Sequence, residues 1–238
     1  SSDVCSSDLL VRGLYLALVG LIYLAIGIYF LLRQGRAPHV THFFLLCLLA
    51  FVAHFYSPTE EMRMQFDKAI DFADYLALIL MAPMLVHFAA IYPARPQPVS
   101  RQRWLMAALY APSLMLIAAE AWIRFATLRN LIPISALNTR NWLTKVELFL
   151  FAASLIASAA MLVRTYRQAR NIVVRQQLKW VMWGMGVSSA LFAAFYVPSF
   201  FSEPMVSASL ELISLLPLAL IPLTFGYSIA RFRLTDVD

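Results

Sequence analysis

The stretch RTYRQARNIVVRQQLK, residues 164–179, decides the fold class of this chain. It contains basic side chains and no acid, and a long apolar segment lies on each side of it. The basic residues are Arg164, Arg167, Arg170, Arg175 and Lys179. Short loops rich in Lys and Arg stay on the cytoplasmic side of a bilayer. We therefore interpret the stretch as a cytoplasmic loop that anchors the topology of a polytopic membrane protein.

The composition supports a membrane protein. Hydrophobic residues make up 61% of the chain and charged residues 13%, whereas a soluble domain has about 25% charged residues. The net charge of +6 does not indicate nucleic-acid binding, because the basic residues are concentrated in alternate loops. Loop topology and attraction to anionic lipid headgroups explain them better. The lipid bilayer is thus the first predicted partner.

Seven apolar segments approach the roughly 20 residues that a membrane-spanning helix needs. The sequence predicts helices over residues 9–32, 41–56, 69–92, 104–123, 142–163, 180–201 and 210–229. The predicted fold is an all-α bundle of about seven transmembrane helices, formed by residues 10–230. Residues 1–9 repeat Ser-Ser-Asp and are interpreted as a non-native scar or an artefact. Residues 231–238 are expected to begin a cytoplasmic connector to an output domain outside this chain.

Charge sets the predicted orientation of the bundle. With the anchoring loop inside, twelve of the 19 basic residues fall on the cytoplasmic side, as the positive-inside rule requires. The N-terminus is then outside and the C-terminus cytoplasmic. The loop between the fourth and fifth predicted helices argues against this orientation, because Arg124, Arg129, Arg140 and Lys145 cluster around it on the predicted outer side. The larger number of basic residues on the other side favours the orientation.

Five acids lie towards the outer ends of the predicted helices. They are Asp71, Asp74, Glu120, Glu147 and Glu211. Ionisable groups in membrane segments are costly and usually face a partner or a wet cavity. We therefore predict that these acids line an outward-facing pocket for an extracytoplasmic ligand or cation. The alternative is that they are interfacial charges that pair with one another or with water.

The last helix carries the predicted signal-coupling residues, which are Pro217, Pro222, Arg231 and Arg233. Proline removes a backbone donor and tends to kink a helix. A kinked last helix joined to a cytoplasmic tail is suited to transmit motion.

The sequence indicates no enzyme. It has no Gly-rich phosphate loop, nucleophile elbow or metal-binding spacing of His and Cys. We therefore predict no catalytic residue, no metal and no cofactor. The histidines are expected to be hydrogen-bonded within the bundle.

Three stretches, taken together, resemble the N-terminal membrane region of bacterial sensor histidine kinases and related signalling proteins. The first, residues 66–93, ends in a His-Phe…Tyr-Pro pattern. The second, RQQLKW at residues 175–180, leads into the sixth helix. The third, PLTFGYSIARFRLTDVD at residues 222–238, resembles the helix that exits into the cytoplasm.

This resemblance implies a membrane-embedded sensory module in the bacterial inner membrane. It implies a cytoplasmic output domain beyond residue 238, such as a histidine kinase core, dimerisation through the full-length protein and a response regulator as partner. A transporter or channel subunit is the alternative function. A third possibility is a scaffold that assembles through Gly13, Gly20 and Gly27, although simple bundle packing of these glycines is the favoured interpretation.

Overall fold

The structure, a computed structural model, describes residues 2–34, 38–55, 65–92, 103–129, 136–196 and 216–233. All regular structure in these ranges is helical. The helices are α1 (Ser2–Gln34), α2 (Pro38–Phe55), α3 (Gln65–Ile91), α4 (Arg103–Leu128), α5 (Ala136–Gln168), α6 (Ile172–Leu191) and α7 (Leu220–Arg233). A π-helical turn, Phe192–Tyr196, follows α6, and a 3-10 turn, Leu216–Ala219, leads into α7. The all-α prediction is confirmed.

Four of the helices are long and apolar enough to cross a membrane. Their candidate spans are Gly13–Arg33, Ala69–Ile91, Trp104–Thr127 and Trp142–Gln168. The apolar part of α2, Val40–Phe55, is shorter, as expected from its sequence. The membrane character of the chain therefore rests on four spans. Three of the seven predicted spans are therefore not candidate spans among the described residues: α2 has a short apolar part, α7 has 14 described residues, and the 20 residues of α6 do not qualify.

The predicted bounds of the loop, residues 164–179, are wrong, because the connection between α5 and α6 is only residues 169–171; its cytoplasmic location stays a prediction. Arg164 and Arg167 lie in α5, Arg170 lies in the short connection, and Arg175 and Lys179 lie in the first turns of α6. The side-chain oxygen of Asn171 accepts a hydrogen bond of 2.8 Å from the backbone N–H of Val173. Such an N-cap satisfies a free donor at the start of a helix, so α6 begins eight residues earlier than predicted.

Close helix contacts form where glycine removes the side chain. A Cβ atom on Gly27 would lie 2.8 Å from the Cβ of Cys47, and one on Gly20 would lie 3.2 Å from the carbonyl oxygen of Phe51. Both glycines therefore pack α1 against α2 of the same chain. This agrees with the bundle-packing interpretation of the glycine spacing.

The centre of the bundle is an aromatic cluster from α2, α3 and α7. The rings of Phe43 and Phe88 are 5.7 Å apart, and those of Phe88 and Phe225 are 4.9 Å apart. All three phenylalanines are at most 2% exposed. Their burial fixes α7 against the middle of the bundle, since aromatic contacts of this geometry add to the gain from area burial.

The indole rings and many aliphatic side chains lie on the outside. Trp104, Trp122 and Trp142 are each about two-thirds exposed, and only 11% of the apolar span of α4 is buried. A surface this apolar is unsuited to water and suited to lipid. The fold thus presents its apolar surface outward as a membrane protein does.

Most of the described acids lie at one end of the bundle, together with Arg124, Arg129 and Lys145, and the other basic residues with described side chains lie at the opposite end. The Asp71–Arg124 ion pair places the start of α3 beside the end of α4, and the Tyr92–Ser228 hydrogen bond places the end of α3 beside the end of α7. The end that holds Asp71, Asp74, Glu120 and Glu147 is called the acidic end. The opposite end, called the basic end, holds Arg33, Arg164, Arg167, Arg170, Arg175, Lys179 and Arg231.

Candidate functional site at the acidic end

Arg124 of α4 joins two carboxylates from two helices. Its Nη2 lies 2.7 Å from Oδ2 of Asp71 on α3, and its Nε lies 2.8 Å from Oε1 of Glu120 on α4. Glu120 is 1% exposed, whereas Arg124 is 23% exposed. Hydrogen bonds between ionised groups at this distance are among the strongest in proteins. The guanidinium therefore holds α3 and α4 together at this end.

Aromatic rings of α3 surround the same guanidinium. Its central carbon lies 5.2 Å from the ring centroid of Phe72 and 5.9 Å from that of Tyr75. A cation over an aromatic face is attracted by the ring quadrupole, more so when it is shielded from water. Arg124 is thus enclosed by both charge and aromatic surface.

Helix α5 contributes the third carboxylate. Glu147 is 4% exposed and lies within hydrogen-bonding reach of the hydroxyl of Tyr75. The same hydroxyl donates a hydrogen bond of 3.1 Å to the carbonyl oxygen of Leu116 on α4. One tyrosine of α3 therefore contacts both neighbouring helices, and the acidic end becomes a network across α3, α4 and α5.

Asp74 completes the network from one turn along α3. It is three residues from Asp71, which places both side chains on the same face of the helix. Among the described residues, the buried Oδ1 of Asp74 has no recorded hydrogen-bond partner. The carboxylates of Asp71 and Glu120 pair with the guanidinium of Arg124, and Lys145 lies over the ring of Trp142. Carboxylates in poorly hydrated surroundings are costly to keep charged, so this end is a candidate site for a proton or a cation.

Four of the five predicted ligand-binding residues are therefore brought together. Glu211 lies outside the described residues. Whether the four carboxylates bind a ligand remains a prediction. The sequence reasoning missed the roles of Arg124 and Tyr75. The Glu120–Arg124 spacing of four residues signals one ion pair, but nothing in the sequence shows that Tyr75 would reach α4 and α5.

The predicted coupling residues form a second polar feature, at the start of α7. Pro222 has no backbone N–H, so the carbonyl of Leu218 loses its usual helical donor. The hydroxyl of Tyr23 on α1 donates a hydrogen bond to this carbonyl instead, and Oγ of Ser188 on α6 bonds to the carbonyl of Pro217. The start of α7 is therefore held by side chains of two other helices.

The remaining predicted residues lie at the basic end. Arg231 is exposed, and its guanidinium carbon lies 5.5 Å from the ring centroid of Tyr227. Arg233 is the last residue of α7, and its side chain is not among the described ones. Arg175 lies 4.9 Å from the ring of Tyr166. The other anchor residues, Arg164, Arg167, Arg170 and Lys179, are exposed.

Two of the histidines bond within the bundle, as predicted. Nδ1 of His87 lies 3.0 Å from the hydroxyl oxygen of Tyr110, and Nδ1 of His54 lies 2.7 Å from the carbonyl oxygen of Ala50. The rings of His42 and His87 are 4.9 Å apart. In the described part of the chain, no three His, Cys, Asp or Glu side chains are grouped as metal ligands.

Comparison with known proteins finds no match to a family model, to a curated protein or to a solved structure.

Proposed function

We propose that this chain is the membrane-embedded sensory and transmission module of a bacterial two-component-type signalling protein. In this proposal the acidic end receives an extracytoplasmic or membrane stimulus. The last helix passes the response to a cytoplasmic output domain, such as a histidine kinase core, that acts on a response regulator. The chain itself performs no catalysis.

One observation carries the proposal: α3 contacts the acidic network at its start and α7 at its end. Asp71, Asp74 and Tyr75 lie in the first turns of α3. At the other end, the hydroxyls of Tyr92 and Ser228 are 2.7 Å apart, and the rings of Tyr92 and Phe225 are separated by 5.3 Å. Charge uptake at the acidic end would change the contacts of one end of α3, and α7 packs on the other end.

The start of α7 is suited to two arrangements. Its 3-10 turn and Pro222 interrupt the regular helical ladder, and hydroxyl groups replace the missing donors. The hydroxyl of Ser188 lies beside two acceptors, the carbonyl of Gly184 on its own helix and the carbonyl of Pro217, and can bond to either one. A bistable element of this kind is what a switch requires.

The proposed orientation places the acidic end and the N-terminus outside, and the basic end and the C-terminus in the cytoplasm of a bacterial inner membrane. The larger number of basic residues at the basic end supports this orientation through the positive-inside rule. The sequence resemblance supports the output domain and a homodimeric full-length protein.

The test is signalling by the full-length protein carrying Asp71→Asn and Glu120→Gln. Both changes keep the side-chain shape and remove charge, so the response to stimulus should fall at least tenfold while membrane insertion persists. Arg129→Gln is the matched control, because Arg129 is an exposed charge at the same end that stacks on Phe125. An unchanged response in the double variant, with a normal control, would reject the role of the acidic end.

A transporter or channel subunit is the second candidate, favoured by the same buried carboxylates. Proton or monovalent cation flux into liposomes containing this chain alone separates the two functions. Flux that is abolished by Glu147→Gln would support transport. Liposomes that show no proton or cation flux with this chain would support the sensory module.

A further inference from the structure

The basic end contains a cavity that is separate from the acidic network. It has a volume of about 610 Å³ and lies between α6 and α7. Its lining consists of Gln176, Lys179, Trp180, Trp183 and Arg231. Two cations, two indole rings and one amide thus face a single space.

Sequence spacing explains how α6 supplies most of this lining. Residues 176, 179, 180 and 183 follow the i, i+3, i+4, i+7 pattern, which places them on one face of a helix. Trp180 and Trp183 are 47% and 65% exposed. Exposed indole rings of this kind favour the headgroup level of a bilayer, where the ring is half in apolar surroundings and its N–H meets polar groups.

The cation of α7 is held in position by aromatic contacts. The ring of Trp180 lies 5.2 Å from that of Tyr227, and Arg231 donates a hydrogen bond to the hydroxyl of Tyr227. A guanidinium has five N–H donors, so one bond to Tyr227 leaves several for another acceptor. Arg231 is therefore oriented and still able to bind.

No carboxylate balances these cations within the described part of the chain. The recorded salt bridges belong to Arg124 at the opposite end. The complementary ligand is an anion with several acceptor oxygens, and a phosphate group fits both the guanidinium and the ammonium. The two exposed indoles add apolar surface, which suits acyl chains and does not suit a free ion.

We propose that this cavity binds the phosphate of one anionic phospholipid, which bridges Lys179 of α6 and Arg231 of α7. Basic pockets between helices bind anionic headgroups in this way. The lipid would join the last helix to its neighbour at the point where α7 leaves the bundle. The ligand differs from the stimulus proposed for the acidic end, although the site includes the predicted coupling residue Arg231. Lipid retention is measured without a signalling readout, so the two proposals can fail separately.

The test measures lipid retention by native mass spectrometry of the chain purified in detergent. The probes are phosphatidylglycerol and phosphatidylcholine with identical acyl chains. We expect one phosphatidylglycerol per chain to be retained at least tenfold more strongly than phosphatidylcholine. Equal retention of the two lipids by the unaltered chain would overturn the proposal without any variant.

Lys179→Gln with Arg231→Gln should weaken phosphatidylglycerol binding roughly 30-fold, from the loss of two basic residues near a lipid surface. The matched control is Arg167→Gln with Arg170→Gln, which removes the same charge from the same end outside the cavity. Lys179→Arg keeps the charge and should keep binding, with circular dichroism confirming that each variant is helical. An equal loss of phosphatidylglycerol binding in the control variant would show that the lipid is attracted by the surface charge in general, and would overturn the proposed site.

A final experiment distinguishes a lipid phosphate from free inorganic phosphate as the ligand. Inorganic phosphate at 1 to 10 mM, on the order of a weak anion site, should leave the retained phosphatidylglycerol in place. Displacement at these concentrations would show that the cavity takes a soluble phosphate and would overturn the assignment to a lipid.

Discussion

The acidic and basic ends differ in the burial and pairing of their charged side chains. At the acidic end, Glu120 and Glu147 are buried, and Arg124 of α4 pairs with Asp71 of α3 at 2.7 Å and with Glu120 of its own helix at 2.8 Å. At the basic end, the cations are exposed, and Arg175 and Arg231 lie over tyrosine rings. A buried charge depends on its partner because water cannot replace it, whereas an exposed charge loses little when its neighbours change.

This difference separates structural from interfacial charge. The acidic end couples three helices through Arg124 and Tyr75, so a change in charge there must alter helix packing. At the basic end, the exposed cations can contact solvent or lipid headgroups. The following predictions test this contrast, from the largest expected effect to the smallest.

Arg124→Met should cause the largest loss of stability. It leaves the carboxylates of Asp71 and Glu120 without their cation in a poorly hydrated site, which typically costs about 3–5 kcal/mol. The free energy of unfolding in mixed micelles measures the effect. Arg129→Met, an exposed change on the same helix, should cost less than about 0.5 kcal/mol. Similar values for both variants would remove the distinction between the two kinds of charge.

Gly184→Ala should be the next most damaging change, and it tests the packing of the two helices that line the basic cavity. A Cβ atom there would meet the side chain of Thr224, so overpacking should cost about 1–3 kcal/mol. Gly186→Ala is the matched control, because no atom lies within 4 Å of its added Cβ. Thermal unfolding in detergent distinguishes them, and a neutral Gly184→Ala would contradict the close α6–α7 contact.

Tyr23→Phe tests the side chain that holds the start of α7. It removes the donor to the carbonyl of Leu218, which Pro222 leaves without a backbone partner, and should cost about 1–2 kcal/mol. Tyr29→Phe changes a half-exposed tyrosine of the same helix and should be close to neutral. Hydrogen exchange of the α7 amides should also rise in Tyr23→Phe, and unchanged exchange would argue against this support.

Arg170→Gln at the basic end should have the smallest effect. Arg170 is exposed in the connection between α5 and α6, so the free energy of unfolding should change by less than about 0.5 kcal/mol. The same micelle titration measures it. A loss comparable to that of Arg124→Met would show that the basic end also carries structural charge.

Much of this organisation can be predicted from the chain. The apolar segments gave the number of helices, because a segment of this length and hydropathy is stable as a helix in lipid. The boundaries were less certain, as α6 shows. Arg175 and Lys179 were assigned to a loop because they are charged, but Asn171 caps a helix that extends over both, and charged side chains are compatible with helical backbone.

The candidate site was predictable only in part. Alternation of the helices predicts that the acids lie at one end of the bundle, and the four described acids do. Their partner could not be predicted, because the Asp71–Arg124 contact joins residues more than fifty positions apart on helices whose rotation depends on packing. The links from Tyr75 to Leu116 and from Tyr23 to Leu218 are of the same kind.

By itself, the sequence determined the all-helical class and the apolar character of the four candidate spans, but not the number of spans. These follow from local hydropathy and from helix length, which any segment of the chain carries without its neighbours. The tertiary structure alone decided which charges are buried together and which hydroxyl bonds to the carbonyl that Pro222 leaves without a backbone donor. It also decided that Lys179 and Arg231 face one cavity. These depend on how seven helices rotate and approach one another, and the close contacts at Gly20, Gly27 and Gly184 fix that arrangement.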